Sequence, residues 1–308
     1  MTKSSAPGKI ILFGEHAVVY GRPALAVPVN QVRAEVEVSD SSRAGIWIDA
    51  SAVKLHAELN TLPSDHPIAA VIHNFLFLSR LSRFPDLEIK ISSTIPVASG
   101  LGSGAAVTVA LTRALASHLN YAMTDEELNA FAYEIEKLHH GTPSGIDNTV
   151  VTYARPVYFV KGQPLELFKA GKPFTIVIAD TGVSAPTKES VGDVRRLWID
   201  DRSRWETVFD KIGEISFTAR RAIEAGRPEL LGELMDENHS LLQKLTVSLP
   251  ELDQLVEAAR KAGALGAKLS GGGRGGNMIA LVEPETAEAV ASALKEAGAK
   301  NTIITKVL

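Results

Sequence analysis

Pro96-Val97-Ala98-Ser99-Gly100-Leu101-Gly102-Ser103-Gly104-Ala105-Ala106 is the stretch on which the reading of this 308-residue chain turns. Glycines at 100, 102 and 104 let backbone N–H groups approach a ligand closely, and glycine adopts the turn conformations other residues avoid. Upstream, Leu87-Glu88-Ile89-Lys90-Ile91 alternates as a half-buried strand does; downstream, Ala105 to Leu119 is alanine-rich with apolar residues at helical spacing. The order is strand, turn, helix. A helix N-terminus adds about half a positive charge to such a turn, which makes it a phosphate cradle or, alternatively, a tight turn without a ligand.

Rival anion motifs do not fit. A P-loop needs Gly-Lys-Ser/Thr after four intervening residues, but Gly100 is followed by Leu101-Gly102-Ser103-Gly104-Ala105. The protein-kinase loop lacks its third glycine, and no catalytic-loop or Asp-Phe-Gly string occurs. Gly271-Gly272-Gly273-Arg274-Gly275-Gly276 formally satisfies the dinucleotide fingerprint G-x-G-x-x-G. That fingerprint requires a helix next, whereas the apolar run Met278 to Val282 predicts a strand, so nicotinamide and flavin are rejected.

Outward from the turn, Val27 to Val38 reads as a strand, residues 66–83 as a helix, and Thr124-Asp125-Glu126-Glu127 as a capping box opening a helix to about Leu138 that carries Glu136. Val157 to Val160 and Phe174 to Ala179 read as strands. The glycine- and proline-marked lull at 162–173 marks a domain boundary, giving domains 1–165 and 166–308. Beyond it follow helical stretches at 188–225, 228–245 and 250–262, the loop at 271–276, a strand at 278–282, a helix at 284–297 and a strand at 302–307. The second half is mixed α+β.

Composition narrows the function. Hydrophobic residues make up 45% and charged residues 22%, the balance of a soluble globular chain. The absence of cysteine removes disulfides, thiolate metal sites and cysteine nucleophiles, and suits a reducing cytoplasm. No uncharged apolar run reaches the length of a spanning helix, and a net charge of −4 offers no general attraction to nucleic acid or anionic membranes. The expected partner is a small molecule.

Two further strings carry chemistry. Pro143-Ser144-Gly145-Ile146-Asp147-Asn148 reads as a polar turn after the Glu136 helix, with Asp147 either a functional carboxylate or a turn former. In Pro7-Gly8-Lys9-Ile10-Ile11-Leu12-Phe13-Gly14-Glu15-His16, charged residues frame an apolar run; they are either functional or the solvated ends of a strand.

These strings, in this order and over nearly the whole chain, resemble the galactokinase, homoserine kinase, mevalonate kinase and phosphomevalonate kinase (GHMP) superfamily. The opening string, continuing through Ala17-Val18-Val19-Tyr20-Gly21, is similar to that of the mevalonate kinase family, and His140-Gly141-Thr142-Pro143-Ser144-Gly145-Ile146-Asp147-Asn148 points the same way. The resemblance implies a two-domain α+β GHMP kinase fold. Its N-terminal domain would be like a ribosomal small-subunit protein domain and its C-terminal domain a ferredoxin-like sandwich, with the active site in the cleft between them. It implies transfer of the ATP γ-phosphoryl group to the 5-hydroxyl of mevalonate, with Mg2+ as cofactor. The alternatives are another small-molecule kinase of the superfamily, such as one acting on phosphomevalonate or on mevalonate's 3-hydroxyl, or an inactive nucleotide-binding sensor.

By the same resemblance Asp147 stands at the catalytic-base position with Lys9 beside it, and Lys9, Glu15, His16, Asp147 and Thr187 contact substrate. Pro96, Ser99, Gly100, Leu101, Gly102, Ser103, Gly104, Ala105 and Ala106 wrap the ATP phosphates, Glu136 and Ser103 hold Mg2+, and Gly271, Gly272, Gly273 and Gly275 close the site. Two departures stand out. Many members have a second serine, credited with touching the metal, where Gly104 stands, so either water takes that place or the loop brings Ser103 in. Arg274 replaces a small residue and either touches a phosphate or points to solvent. The expected assembly is a cytoplasmic monomer or homodimer without nucleic-acid or membrane partners.

Overall fold

Period-two alternation builds the first sheet. In β2 (Ala24–Asp40), Val32, Ala34, Val36 and Val38 are buried while Glu35 is exposed and Arg33, Glu37 and Ser39 are half-buried, one face in and one out. β2 is flanked by β1 (Thr2–Phe13), and β3 (Ile46–Ala50), β4 (Leu55–Glu58) and, after α1 (Pro67–Ser79), β5 (Leu87–Ser93) complete the sheet in the order β4-β3-β5-β2. β5 pairs antiparallel with β2 (Val36 opposite Ile91) and parallel with β3 (Ile48 opposite Ile89). The computed structural model describes residues 1–81, 85–96, 99–140, 143–183 and 187–308, with backbone alone at 139, 140, 187 and 188.

The chain divides into two compact units that are interleaved in sequence. The first comprises Met1–Gly8, Val32–Val97 and Leu101–Ala154; the second comprises Lys9–Gln31, Ala98–Gly100 and Arg155–Leu308. β1 and β2 thus each contribute residues to both. In the first unit, α2 (Ser103–His118), α3 (Asp125–His140) and α4 (Ile146–Tyr153) pack on one another, and α1 packs on α2. α3 opens on the reciprocal bonds of the expected capping box: Thr124 N donates to Glu127 Oε2 at 2.8 Å, and Glu127 N to Thr124 Oγ1 at 3.2 Å.

In the second unit β6 (Val157–Phe159) pairs with Ala24–Ala26 of β2 and with β7 (Glu166–Leu167). Its main sheet is antiparallel, ordered β11-β8-β10-β9, from β8 (Phe174–Asp180), β9 (Gly266–Ser270), β10 (Asn277–Val282) and β11 (Asn301–Val307). Ile176–Ala179 of β8 and Met278–Val282 of β10 are continuously apolar because both strands lie inside the sheet. The helices are α5 (Thr187–Asp200), α6 (Arg202–Glu224), α7 (Leu231–Lys244), α8 (Pro250–Lys261) and α9 (Ala287–Glu296). α7 crosses β9 at backbone distance: a Cβ on Gly266 would lie 2.1 Å from the Gly232 carbonyl oxygen.

Three local expectations need correction. The stretch 188–225 is broken at Asp201, whose carboxylate accepts from Arg204 N at 3.1 Å and so caps α6 as a new helix. The helix expected to run to 83 ends at Arg80, in a left-handed conformation; residues 82–84 lie outside the described residues. The string 143–148 is not a free turn: Gly145, at φ 91°, caps α4, and Asp147 sits in that helix's first turn. Among the described residues no helix is long and apolar enough to cross a membrane.

Candidate active site

Lys9 lies within β1, which ends at Phe13. Gly14 then turns the chain at φ 95°, where a Cβ would lie 2.4 Å from Ala24 Cα, so only glycine fits. Lys9, Glu15 and His16 are all buried, which removes the solvated-strand-end reading. Glu15 is committed within the protein. One carboxylate oxygen takes the Lys268 ammonium, and the other accepts from Asn238 Nδ2 at 3.1 Å. Lys268 also donates to the Leu269 carbonyl at 2.6 Å. Burial pushes the Lys268 pKa below the ordinary lysine range, and Glu15 pulls it back up.

His16 follows in a left-handed conformation (φ 61°) and opens a single 3-10 turn, Ala17–Tyr20. Its Nε2 lies 3.1 Å from the Gly272 carbonyl, so Nε2 carries the proton and Nδ1 is left as the acceptor. Burial lowers the ring's pKa to about 4, against a smaller upward pull from Gly272, and Arg274 lowers it further. At neutral pH the imidazole is uncharged.

The second glycine loop is fixed by backbone contact. Cβ atoms at Gly273 and Gly275 would lie 2.1 Å from the Val247 carbonyl oxygen and 2.3 Å from the Val183 carbonyl oxygen. Arg274 is tied to the protein on both sides of its loop. Its backbone is left-handed (φ 57°), its N–H donates to Val247 O at 2.7 Å, and its guanidinium pairs with Asp193 of α5. That pairing holds the Asp193 carboxyl below its usual range. Thr187 is the first residue of α5.

In the other unit, Gly102 (φ 75°) caps α2, whose first intrahelical bond runs from Ala106 N to Gly102 O at 2.9 Å. The N–H groups of Ser103, Gly104 and Ala105 precede that bond and are the ones a helix offers to an anion. Arg113 of α2 donates to Asp125 Oδ1 of α3 at 2.7 Å and to the Thr152 carbonyl of α4 at 2.6 Å. This bridge joins the start of α3 to the ends of α4 and of the second half of α2. α3 therefore runs opposite to the other two, and half-buried Ser103, Glu136 and Asp147 all lie toward one end of the trio. Asn148 steadies α4 by donating to Asn129 Oδ1 at 2.6 Å, and Thr149 by donating to Gly145 O at 2.6 Å.

Ser103 and Glu136 offer the hard oxygen donors that Mg2+ prefers. Among the described residues no group of three or more His, Cys, Asp or Glu side chains forms a cation cage. Pro143 and Ser144 are half-buried, Gly141 and Thr142 lie outside the described residues, and Ser99 and Leu101 are buried beside exposed Gly100.

Sequence reasoning passed over Lys268, Asn238, Asp193 and Asn277. Lys268 is a lone lysine in a strand whose five residues are all buried, a burial that only the fold reveals. Asn238 and Asp193 sit on amphipathic helices among many polar residues and had no signal.

Two family models match the chain: GHMP kinases N terminal domain over residues 68–155 and GHMP kinases C terminal over residues 219–300. The mevalonate kinase of Pyrococcus abyssi is 38% identical over 96% of this chain and 92% of its own length, and that of Thermococcus sibiricus 36% identical over 99% and 95%. Among solved structures, L. major mevalonate kinase in complex with R-mevalonate superposes with a TM-score of 0.87 at 31% identity, covering 100% of this chain and 96% of that one. Methanococcus jannaschii mevalonate kinase gives a TM-score of 0.85 at 26% identity, with 99% and 96% covered. The buried Glu-His turn, the glycine-capped helix α2 and the second glycine loop are accordingly those of a chain that belongs to the GHMP kinase superfamily and is closely related to its mevalonate kinases.

Proposed function

We propose that this protein transfers the γ-phosphoryl group of ATP to the 5-hydroxyl of mevalonate, releasing ADP and 5-phosphomevalonate. The observation that carries this reading is likeness to mevalonate kinases along 96% of the chain, at 38% identity, with Lys9, His16 and Asp147 all present.

Phosphoryl transfer asks a protein mainly for positioning and charge stabilisation. Asp147 accepts the proton of the attacking hydroxyl. Lys9 favours the alkoxide and offsets charge developing on the phosphoryl oxygens. Neutral His16 presents Nδ1 as an acceptor for a substrate hydroxyl, and Thr187 adds a further contact. Glu15, with both oxygens engaged, holds the His16 turn in place rather than reaching the substrate itself. Ser99 to Ala106 enclose the phosphates, with Pro96 leading into the turn, and Gly271, Gly272, Gly273 and Gly275 close over them. Glu136 and Ser103 would hold Mg2+, which when bound would neutralise phosphate charge. A Cβ at Gly104 would meet nothing within 4 Å, so the fold leaves room for a side chain at the place of the second serine. The cysteine-free composition and acidic balance suit a cytoplasmic enzyme of small molecules without a nucleic-acid partner.

ADP release from the purified protein with Mg-ATP and mevalonate, phosphomevalonate, galactose or homoserine, followed by locating the phosphate by 31P NMR, tests the reading. Turnover of mevalonate to the 5-phosphate is expected. Nucleotide binding with no turnover of any alcohol would overturn it.

A further inference from the structure

We infer that Asn277 is a positioning residue for the phosphate-binding turn, acting on it from the far half of the chain. Asn277 is the first residue of β10, paired with Asp180 of β8 on one side and Ser270 of β9 on the other, so its backbone is held in the middle of a sheet. It is 2% exposed, and its Nδ2 donates to the Ser99 carbonyl. Ser99 is itself buried. A Cβ at Gly100 would sit 3.5 Å from the same Nδ2.

Fixing the Ser99 carbonyl fixes the plane of the peptide it shares with the Gly100 N–H, because the two groups lie in one rigid unit. With its oxygen turned to Asn277, that peptide points its N–H the opposite way. Gly100 then reverses the chain at φ 77°, and Gly102 starts α2. Ser99 and Gly100 group with the unit that contains Asn277, whereas Leu101 onward groups with the unit that contains α2. The turn is thus anchored at its trailing end by its own helix and at its leading end by one side-chain amide 178 residues further along the chain. Asn277 touches no reacting atom in this account; it sets the direction of one donor.

The inference rests on reading 96–106 as the phosphate turn, and the test separates the two. Asn277→Ala and Asn277→Asp are compared with the unaltered chain in binding MgADP and adenosine by calorimetry, with thermal midpoints measured alongside. The alanine variant should lose about five- to tenfold in MgADP affinity, as one hydrogen bond suggests. Aspartate, which sets a carboxylate against a carbonyl, should lose more, while adenosine binding holds in both. Steady-state kinetics should show KM for ATP raised and KM for mevalonate unmoved. Equal loss for adenosine and MgADP, or no loss for either at unchanged stability, would overturn the inference. If the unaltered chain bound ADP no better than adenosine, the phosphate-turn reading itself would be the one to fall.

Discussion

Lys268 and Glu15 form an ion pair between side chains that are both 0% exposed, 253 residues apart in the chain. Two charges removed from water hold each other in place, and Asn238 takes up the second carboxylate oxygen. Such a pair adds little net stability as a unit, but breaking it strands a buried charge. Lys268→Met should therefore cost about 3–5 kcal/mol in urea unfolding. The double variant Lys268→Met/Glu15→Gln should recover a good part of that loss. Equal losses in the single and double variants would contradict the account.

Asp147→Asn tests the base. The substitution keeps the side chain's shape in the first turn of α4 and leaves the Asn148 and Thr149 bonds untouched. Turnover should fall about 10²–10⁴-fold with KM for ATP little altered. Near-normal turnover in the folded variant would reassign the proton acceptor.

Acid should weaken the fold through two imidazoles. His16 and His239 are each lowered to about 4 by burial, from 6.5. Leu269 N donates to His239 Nδ1 at 3.3 Å, which favours the neutral ring, while Asp253 Oδ1, 3.1 Å from Nε2, pulls the pKa back up against the larger effect of burial. Because both folded values lie below the unfolded one, the unfolded chain takes up protons first. Stability is full above pH 6.5 and declines as pH falls toward 4, by up to about 3 kcal/mol per ring. NMR of the histidine rings should show these two keeping their neutral shifts down to pH 5, and a midpoint above 6 for either would contradict burial as the cause.

The glycines separate into those that geometry demands and those it does not. Gly14→Ala forces a Cβ to 2.4 Å from Ala24 Cα at a left-handed φ and should unfold the protein or cost several kcal/mol. Gly104→Ser meets nothing within 4 Å in the first turn of α2 and should change stability by under about 0.5 kcal/mol. Thermal midpoints of the two variants distinguish these outcomes directly.

Much of this was legible in the residues, and the reason is local. The strand–turn–helix around 96–106, the capping box at Thr124 and the apolar strands β8 and β10 are decided by nearest neighbours, so period and turn chemistry sufficed. α4 was hidden because its eight residues are too few to display a helical period and follow three turn-forming residues, Pro143, Ser144 and Gly145. β9 was hidden because the chemistry that makes Lys268 tolerable there comes from Glu15, at the other end of the sequence. The Arg274–Asp193 pair was hidden for the same reason, its two members lying 81 residues apart.

The interleaving of the two units also sets a timetable for synthesis. Lys9–Gln31 belongs with Arg155–Leu308, yet it leaves the ribosome first. The Ile11 carbonyl awaits Ser270, 259 residues later, and Glu15 awaits Lys268. At ordinary elongation rates that wait is roughly 10 to 50 s, long compared with collapse of a small domain. Until then the Ile11 carbonyl and Glu15 lack these partners, although α6, which packs on Ala17–Tyr20, is made earlier. The segment Lys9–Gln31 is thus completed only once β9, far downstream, has been made.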